Sequence, residues 1–443
     1  MNHLKIFFFI SILLLPAITH ASDPKVAELS RQKLADLHEQ PVQTTTLSNG
    51  IKLYYLQDTE LPVANIRSYF RFGKINDPDS QIGIAQFLMQ ALRTAGSLKM
   101  PSDEVDDKLD FVAADISFAV ESELSSLSLR CLQKDLPNVL PIYFDLIKEP
   151  AFEPEKLDII KKELVNAINY RNEELLMIAV REFKQSLYGA DSPYARLYNE
   201  QTISNITRDT LLEYYKKTVG PQTMVLAATS PLSFREFKKL IEEQIASWKT
   251  PAAVLAKLKP LEKKWDPSVE FIQKSGTQSA IAAGHFGDKR FNKDKFRLML
   301  ANEILGASSI GSKLGNRIRV DLGLAYKVQS FFELNTDFGF FVMLTQTKCS
   351  STVQALEEMT SILSNMVQKK EISADELQGA KDRMLNRLVF DNETTFDVVN
   401  GRLRDDYFGY PKDYLFIRQK GIEKVTLDEL KDVMAKYFEK WQK

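Results

Sequence analysis

The chain has 443 residues, 44% of them hydrophobic and 26% charged, with a formal net charge of −1. That length exceeds what one hydrophobic core serves, so two or more domains are expected. The balanced charge implies no strong electrostatic pull toward nucleic acid or an anionic membrane.

In chain order, the N-terminus reads first as a targeting segment. Lys5 precedes an apolar run from Ile6 to Leu15, Pro16 interrupts it, and Thr19-His20-Ala21 offers small residues for cleavage. This pattern predicts a secretory signal peptide over residues 1–21, hence an exported chain, placed in the periplasm. The run is too short for a permanent membrane span, and no later segment is apolar for long enough.

Ile51–Leu56 and Ile66–Phe72 read as strands, and Ile116–Val120 and Leu127–Cys131 alternate with the period of half-buried strands. A helix is predicted over Leu136–Lys148, with Pro137 suited to its first turn and Pro141 an internal burden. The segment Pro154–Ile168 has a counterpart in Ala374–Leu388, and Ile206–Tyr215 one in Val425–Met434. Offsets of 220 and 219 are too long for a solenoid repeat and point to duplication of a whole domain. Val328–Leu334 and Asp337–Thr345 form a predicted hairpin. A helix follows with Val353, Leu356, Met359, Leu363 and Met366 on one apolar face. The expected architecture is α+β: two homologous domains, each a mostly antiparallel sheet with helices packed on it. The proposed boundaries are an N-terminal domain at 22–247, a Pro- and Lys-bearing linker at 248–266 and a C-terminal domain at 267–443.

Little in the chain suggests independent catalysis. Cys131 and Cys349 sit in apolar alternating segments and read as two buried free thiols. Four histidines are present; His3 and His20 belong to the signal segment. His38 and His285 read as ordinary surface or capping residues, because no cluster of metal-ligating partners surrounds either one. No nucleophile elbow, P-loop or dinucleotide fingerprint occurs. Asn205-Ile-Thr207 and Asn392-Glu-Thr394 fit glycosylation sequons, a pattern common by chance.

Two segments carry a more specific signal. The first is Gly83-Ile-Ala-Gln-Phe-Leu-Met-Gln-Ala-Leu92. It resembles the His-x-x-Glu-His helix of inverted zinc peptidases, with Gln86, Met89 and Gln90 at the positions of the two ligands and the base. Spacing of three and four residues puts all three on one helix face. Amides are weak zinc donors, a thioether suits softer metals, and Met89 cannot accept a proton from water. The second segment is Ile304-Leu-Gly306, then Ser312-Lys-Leu314, then Arg319-Val-Asp-Leu-Gly-Leu-Ala-Tyr326. Together these strings resemble the insulinase, pitrilysin and processing-peptidase family from about Leu47 to the C-terminus. Ala307, Lys313 and Asp321-Leu322 depart from the family pattern but leave Arg319 and Tyr326 in register.

The resemblance implies two homologous domains per unit and a chamber enclosed by two units. It implies a third ligand position at Glu163, retained here. It also implies a division of labour seen in bacterial two-chain members, where one chain bears the zinc motif and the other only an Arg/Tyr pair. On that pattern this chain binds no cofactor itself, its partner is a homologous zinc-bearing subunit, and the substrates are unfolded peptides. Arg319 would hold substrate carbonyls, and Tyr326 would support the tetrahedral intermediate. The alternative is a catalytically inactive peptide-binding or scaffold protein of the same fold.

Overall fold

The computed structural model describes residues 40–250, 261 and 267–438. The expected signal segment, His38 and most of the expected linker lie outside the described residues.

The first half runs β1 (Gln43–Thr46), β2 (Lys52–Gln57), β3 (Val63–Phe70), α1 (Ile84–Thr94), α2 (Ser102–Phe111), β4 (Asp115–Val120) and β5 (Ser125–Leu132). It continues through α3 (Leu136–Lys148), α4 (Pro154–Tyr170), α5 (Leu175–Tyr188), α6 (Glu200–Ser204), α7 (Arg208–Thr218), β6 (Met224–Ser230) and α8 (Phe234–Ile245). The second half comprises β7 (Gln278–Phe286), α9 (Lys295–Leu305), a π-helix (Gly315–Asp321), β8 (Ala325–Glu333) and β9 (Phe340–Lys348). Helices α10 (Thr352–Gln368), α11 (Ala374–Phe390), α12 (Thr395–Tyr407), α13 (Tyr414–Lys424) and α14 (Leu427–Phe438) complete it.

The first sheet has the order β1-β2-β6-β3-β5-β4, and the second β7-β9-β8. All pairings are antiparallel except β2 with β6. Strand β6, Met-Val-Leu-Ala-Ala-Thr-Ser, is buried along its whole length, as expected of a central strand covered on both faces. The duplicated segments become α4 and α11, and α7 and α14. Helix α3 forms despite Pro141, which removes one intrahelical bond near its start, because eight of its residues are buried in the core. Both sequon threonines are helix caps: Thr207 and Thr394 accept from the backbone N–H three residues on.

The halves are tied by exchanged helices, which the sequence did not announce. Helix α5, from the first half, covers the second sheet. Its Phe183 and Tyr188 pack on Phe340 and Phe286 in a cluster with Val342 and Leu344. Helix α12, from the second half, covers the first sheet. Its Val399 and Leu403 pack on Tyr54, Tyr69, Val225 and Ala227. Polar contacts hold the second crossover: Tyr69 donates to Asn400 (2.7 Å), and Arg404 forms a fork on Glu121 (2.7 and 3.0 Å).

Three sequence readings are corrected here. Cys131 is buried, but Cys349 is exposed, because it sits in the turn between β9 and α10 rather than inside the strand. His285 is neither a surface nor a capping residue. It lies 4% exposed on β7, its ring against Phe341 and Phe438 and its Nδ1 2.7 Å from the Phe286 carbonyl. On α10, Met359, Leu363 and Met366 are buried as expected, whereas Val353 and Leu356 are 68% and 38% exposed.

Candidate functional site

Helix α1 begins where Gly83 turns the chain at φ +101. A Cβ there would also meet Ile203 at 2.8 Å and Tyr198 at 2.9 Å, so glycine is required on two counts. Asp77, 5% exposed, caps this start by accepting from the N–H groups of Gly83 (2.7 Å) and Ala85 (3.1 Å). Burial pushes its carboxyl up to about 7, against the opposing effect of those two bonds. At the other end Arg93 donates to the Ile116 carbonyl of β4 (2.7 Å) and to Asp106 (2.7 Å), fixing α1 beside that edge strand.

On this fixed helix Gln86 and Gln90 are half-buried, and Gln90 donates to Glu163 of α4. The structure thus brings Gln90 and the expected third-ligand position together. Met89 is fully buried and belongs to the main core cluster. The residues present do not fit zinc. Two amides, a thioether turned into the core and one carboxylate lack the imidazole and thiolate donors that hold the ion. Among the described residues no group of three His, Cys, Asp or Glu side chains is placed to hold a metal.

Arg319 and Tyr326 form a second constellation. Leu314 and Ile318, both buried, anchor the π-helix, and Arg319 leaves its last turn. The wide turn closes through Leu322 N–H donating to the Arg317 carbonyl (3.1 Å). Such π-turns re-aim side chains and recur at functional sites. Gly323 then takes φ +59 with open space around it, and β8 begins. The ladder between β8 and β9 slips between Ala325 and Lys327, so Tyr326 is the bulged residue. Its ring is 85% exposed, and the Arg319 guanidinium lies 4.9 Å from its centroid. A bulge that points one side chain out of the ladder is a common device beside active sites. Stacking at so exposed a place contributes about 0.5–1 kcal/mol, enough to orient the pair but not to bury it. Arg317, two residues earlier, is instead bound to Glu358 (2.9 and 3.1 Å). Arg319 has no carboxylate within ion-pair distance among the described residues.

Sequence reasoning overlooked Asp77 and Glu303. Glu303 is 1% exposed just before the Ile-Leu-Gly segment and accepts from Arg383 Nε (2.9 Å), with Arg387 at 3.5 Å. The four-residue spacing of the two arginines on α11 was the available signal.

An α+β chain whose two halves each pack helices on a mostly antiparallel sheet has the insulinase-type peptidase fold. The profile described as Insulinase (Peptidase family M16) matches residues 53–190, and that described as Peptidase M16 inactive domain matches 205–384. The chain belongs to peptidase family M16. It is similar to a Helicobacter pylori protein described as a non-peptidase homolog, YmxG, at 22% identity, over 88% of this chain and 89% of that one. A Bacillus subtilis protein described as an uncharacterized zinc protease, YmxG, is 22% identical over 80% of this chain and 85% of that one. The crystal structure of a peptidase M16 inactive domain from Pseudomonas fluorescens shares the fold. Its TM-score is 0.80 at 23% identity, covering 90% of this chain and 95% of that chain. Among the described residues no helix is long and apolar enough to cross a membrane.

Proposed function

We propose that this chain is the non-zinc subunit of an exported insulinase-type peptidase complex. In this reading residues 1–21 direct export to the periplasm, and two domains, 22–247 and 267–443, are joined by 248–266. The partner is a homologue that retains the zinc motif. Arg319 donates to carbonyl oxygens of an unfolded peptide substrate, and the Tyr326 hydroxyl donates to the oxyanion of the tetrahedral intermediate. A guanidinium fork suits the first task. Loss of one such oxyanion donor costs on the order of 3 kcal/mol, or about a hundredfold in rate.

The observation that carries this reading is the unlike fate of the two motifs. Met89 has been absorbed into the core, while Tyr326 is held outward by a bulge under a guanidinium with no acidic partner among the described residues. The test is to mix the purified chain with zinc-bearing homologues and assay peptide cleavage. An active complex should lose about a hundredfold when Tyr326→Phe is introduced, and more with Arg319→Ala. Unchanged cleavage by both variants would refute the roles. A second reading, a catalytically inactive peptide-binding or scaffold protein, draws on the non-peptidase description of the Helicobacter pylori relative. It predicts peptide binding by the isolated chain and no cleavage with any homologue.

A further inference from the structure

Lys295 opens α9, and its side chain ends in a cluster that the peptidase reading does not use. Its half-buried amine lies 2.8 Å from the Tyr410 hydroxyl and 2.5 Å from the Tyr414 hydroxyl. The two phenol rings stack, with centroids 4.0 Å apart and planes 13° from parallel, so both hydroxyls meet the same nitrogen. Close packing of α13 on α9 sets this geometry: a Cβ at Gly421 would run into the Phe296 ring. Phe291, 64% exposed, packs on Tyr410 with centroids 5.1 Å apart and gives the cluster an apolar edge that reaches solvent.

Among the described residues no carboxylate stands within ion-pair distance of this amine. Asp294, its neighbour in the chain, is held instead by Lys436 (2.6 Å) and Arg297 (3.1 Å). The charged groups that face Lys295 are Arg418 of α13, Asp405 of α12 and Arg290 of the loop before α9, two of the three cationic. Burial, with Arg418 next, pushes the amine down to about 8, and Asp405 opposes this only in part. Burial pushes both phenols up, so they stay protonated and able to donate. A desolvated lysine beside cationic groups is an activated nucleophile, and here it has its own proton donors.

We propose that Lys295 is a covalent binding site for a small anionic aldehyde or ketone, which it holds as an imine. The nitrogen lone pair forms the C–N bond while the carbonyl π pair passes to oxygen. One nitrogen proton travels through a tyrosine hydroxyl to that oxygen, giving a carbinolamine. The C–O bond then breaks, the oxygen leaves as water with the second nitrogen proton, and C=N remains. No oxidant or reductant enters. Arg418 supplies the charge that favours the anion, and Phe291 and Tyr410 offer ring surface to its organic part. The inference draws on no residue of the proposed peptidase site.

The test uses the full chain, para-carboxybenzaldehyde as the probe, borohydride to trap the imine and peptide mapping by mass spectrometry. At pH 8 and limiting aldehyde, Lys295 should be labelled about tenfold more than the exposed Lys293. Labelling at Lys295 should level off above about pH 9, whereas an ordinary lysine keeps gaining to about pH 10. Tyr410→Phe should slow imine formation roughly tenfold while leaving thermal unfolding unchanged. The uncharged amide of the probe should react more slowly than the carboxylate, a preference that Arg418→Gln removes. Any of four results overturns the proposal: labelling spread evenly over surface lysines, a Lys295 profile that still rises at pH 10, an unchanged rate in Tyr410→Phe, or equal reaction of the wild type with the uncharged amide.

Discussion

Placing histidines at positions 86 and 90 of α1 tests whether only side chains separate that helix from a metal site. In Gln86→His/Gln90→His the two imidazoles would share a helix face, and Glu163, already bonded to residue 90, would complete a three-ligand set. The double variant is expected to bind one equivalent of zinc, measured by elemental analysis after dialysis. With free zinc a hundredfold above Kd, urea unfolding should show a gain of about 2.7 kcal/mol that a chelator removes. Adding Met89→Glu should have the opposite effect. Met89 is fully buried among apolar neighbours, and a carboxylate there costs several kcal/mol. The triple variant without zinc should therefore be less stable than the double by at least about 3 kcal/mol. Zinc-free double variant protein would refute the claim that the ligand geometry persists. Equal stability of the double and triple variants would refute the core role of Met89.

Three further outcomes are expected. Burial raises the Asp77 carboxyl to about 7 from an unfolded value near 4, so its folded form favours the proton. The stability it contributes is full below pH 4 and lost as pH rises through 7, a change of about 4 kcal/mol. The stability–pH curves of wild type and Asp77→Asn should diverge across that window; parallel curves would exclude the linkage. Arg383→Ala leaves Glu303 buried without its main partner and should destabilise the fold by about 3 kcal/mol in urea unfolding. Adding Glu303→Gln should recover most of that loss. Cys349 should react with a thiol reagent in the native protein, whereas Cys131, whose thiol burial pushes up to about 12, should react only on unfolding.

Much of the fold was legible because it rests on local periodicity. The alternating strands around Ile116 and Leu127, the hairpin of β8 and β9 and the duplicated helices all stand where their patterns put them. The errors share a physical cause. Cys349 and Val353 follow the pattern of buried positions, but burial depends on which element lies opposite, and a one-dimensional pattern holds no such information. His285 erred the other way, its β7 position being enclosed by Phe341 and by Phe438 of α14, more than 150 residues away.

By itself the sequence determined the α+β class, the duplication, the presence of two amides and a thioether at Gln86, Gln90 and Met89, and the identity of Arg319 and Tyr326 as the pair to examine. These follow from residue type and spacing, which folding does not alter. Tertiary structure alone decided that Met89 turns into the core, that a bulge sets Tyr326 outward beneath Arg319, and that α5 and α12 cross between halves. Each of those depends on long-range packing, where a helix is placed by the sheet it can cover rather than by the residues beside it in the chain.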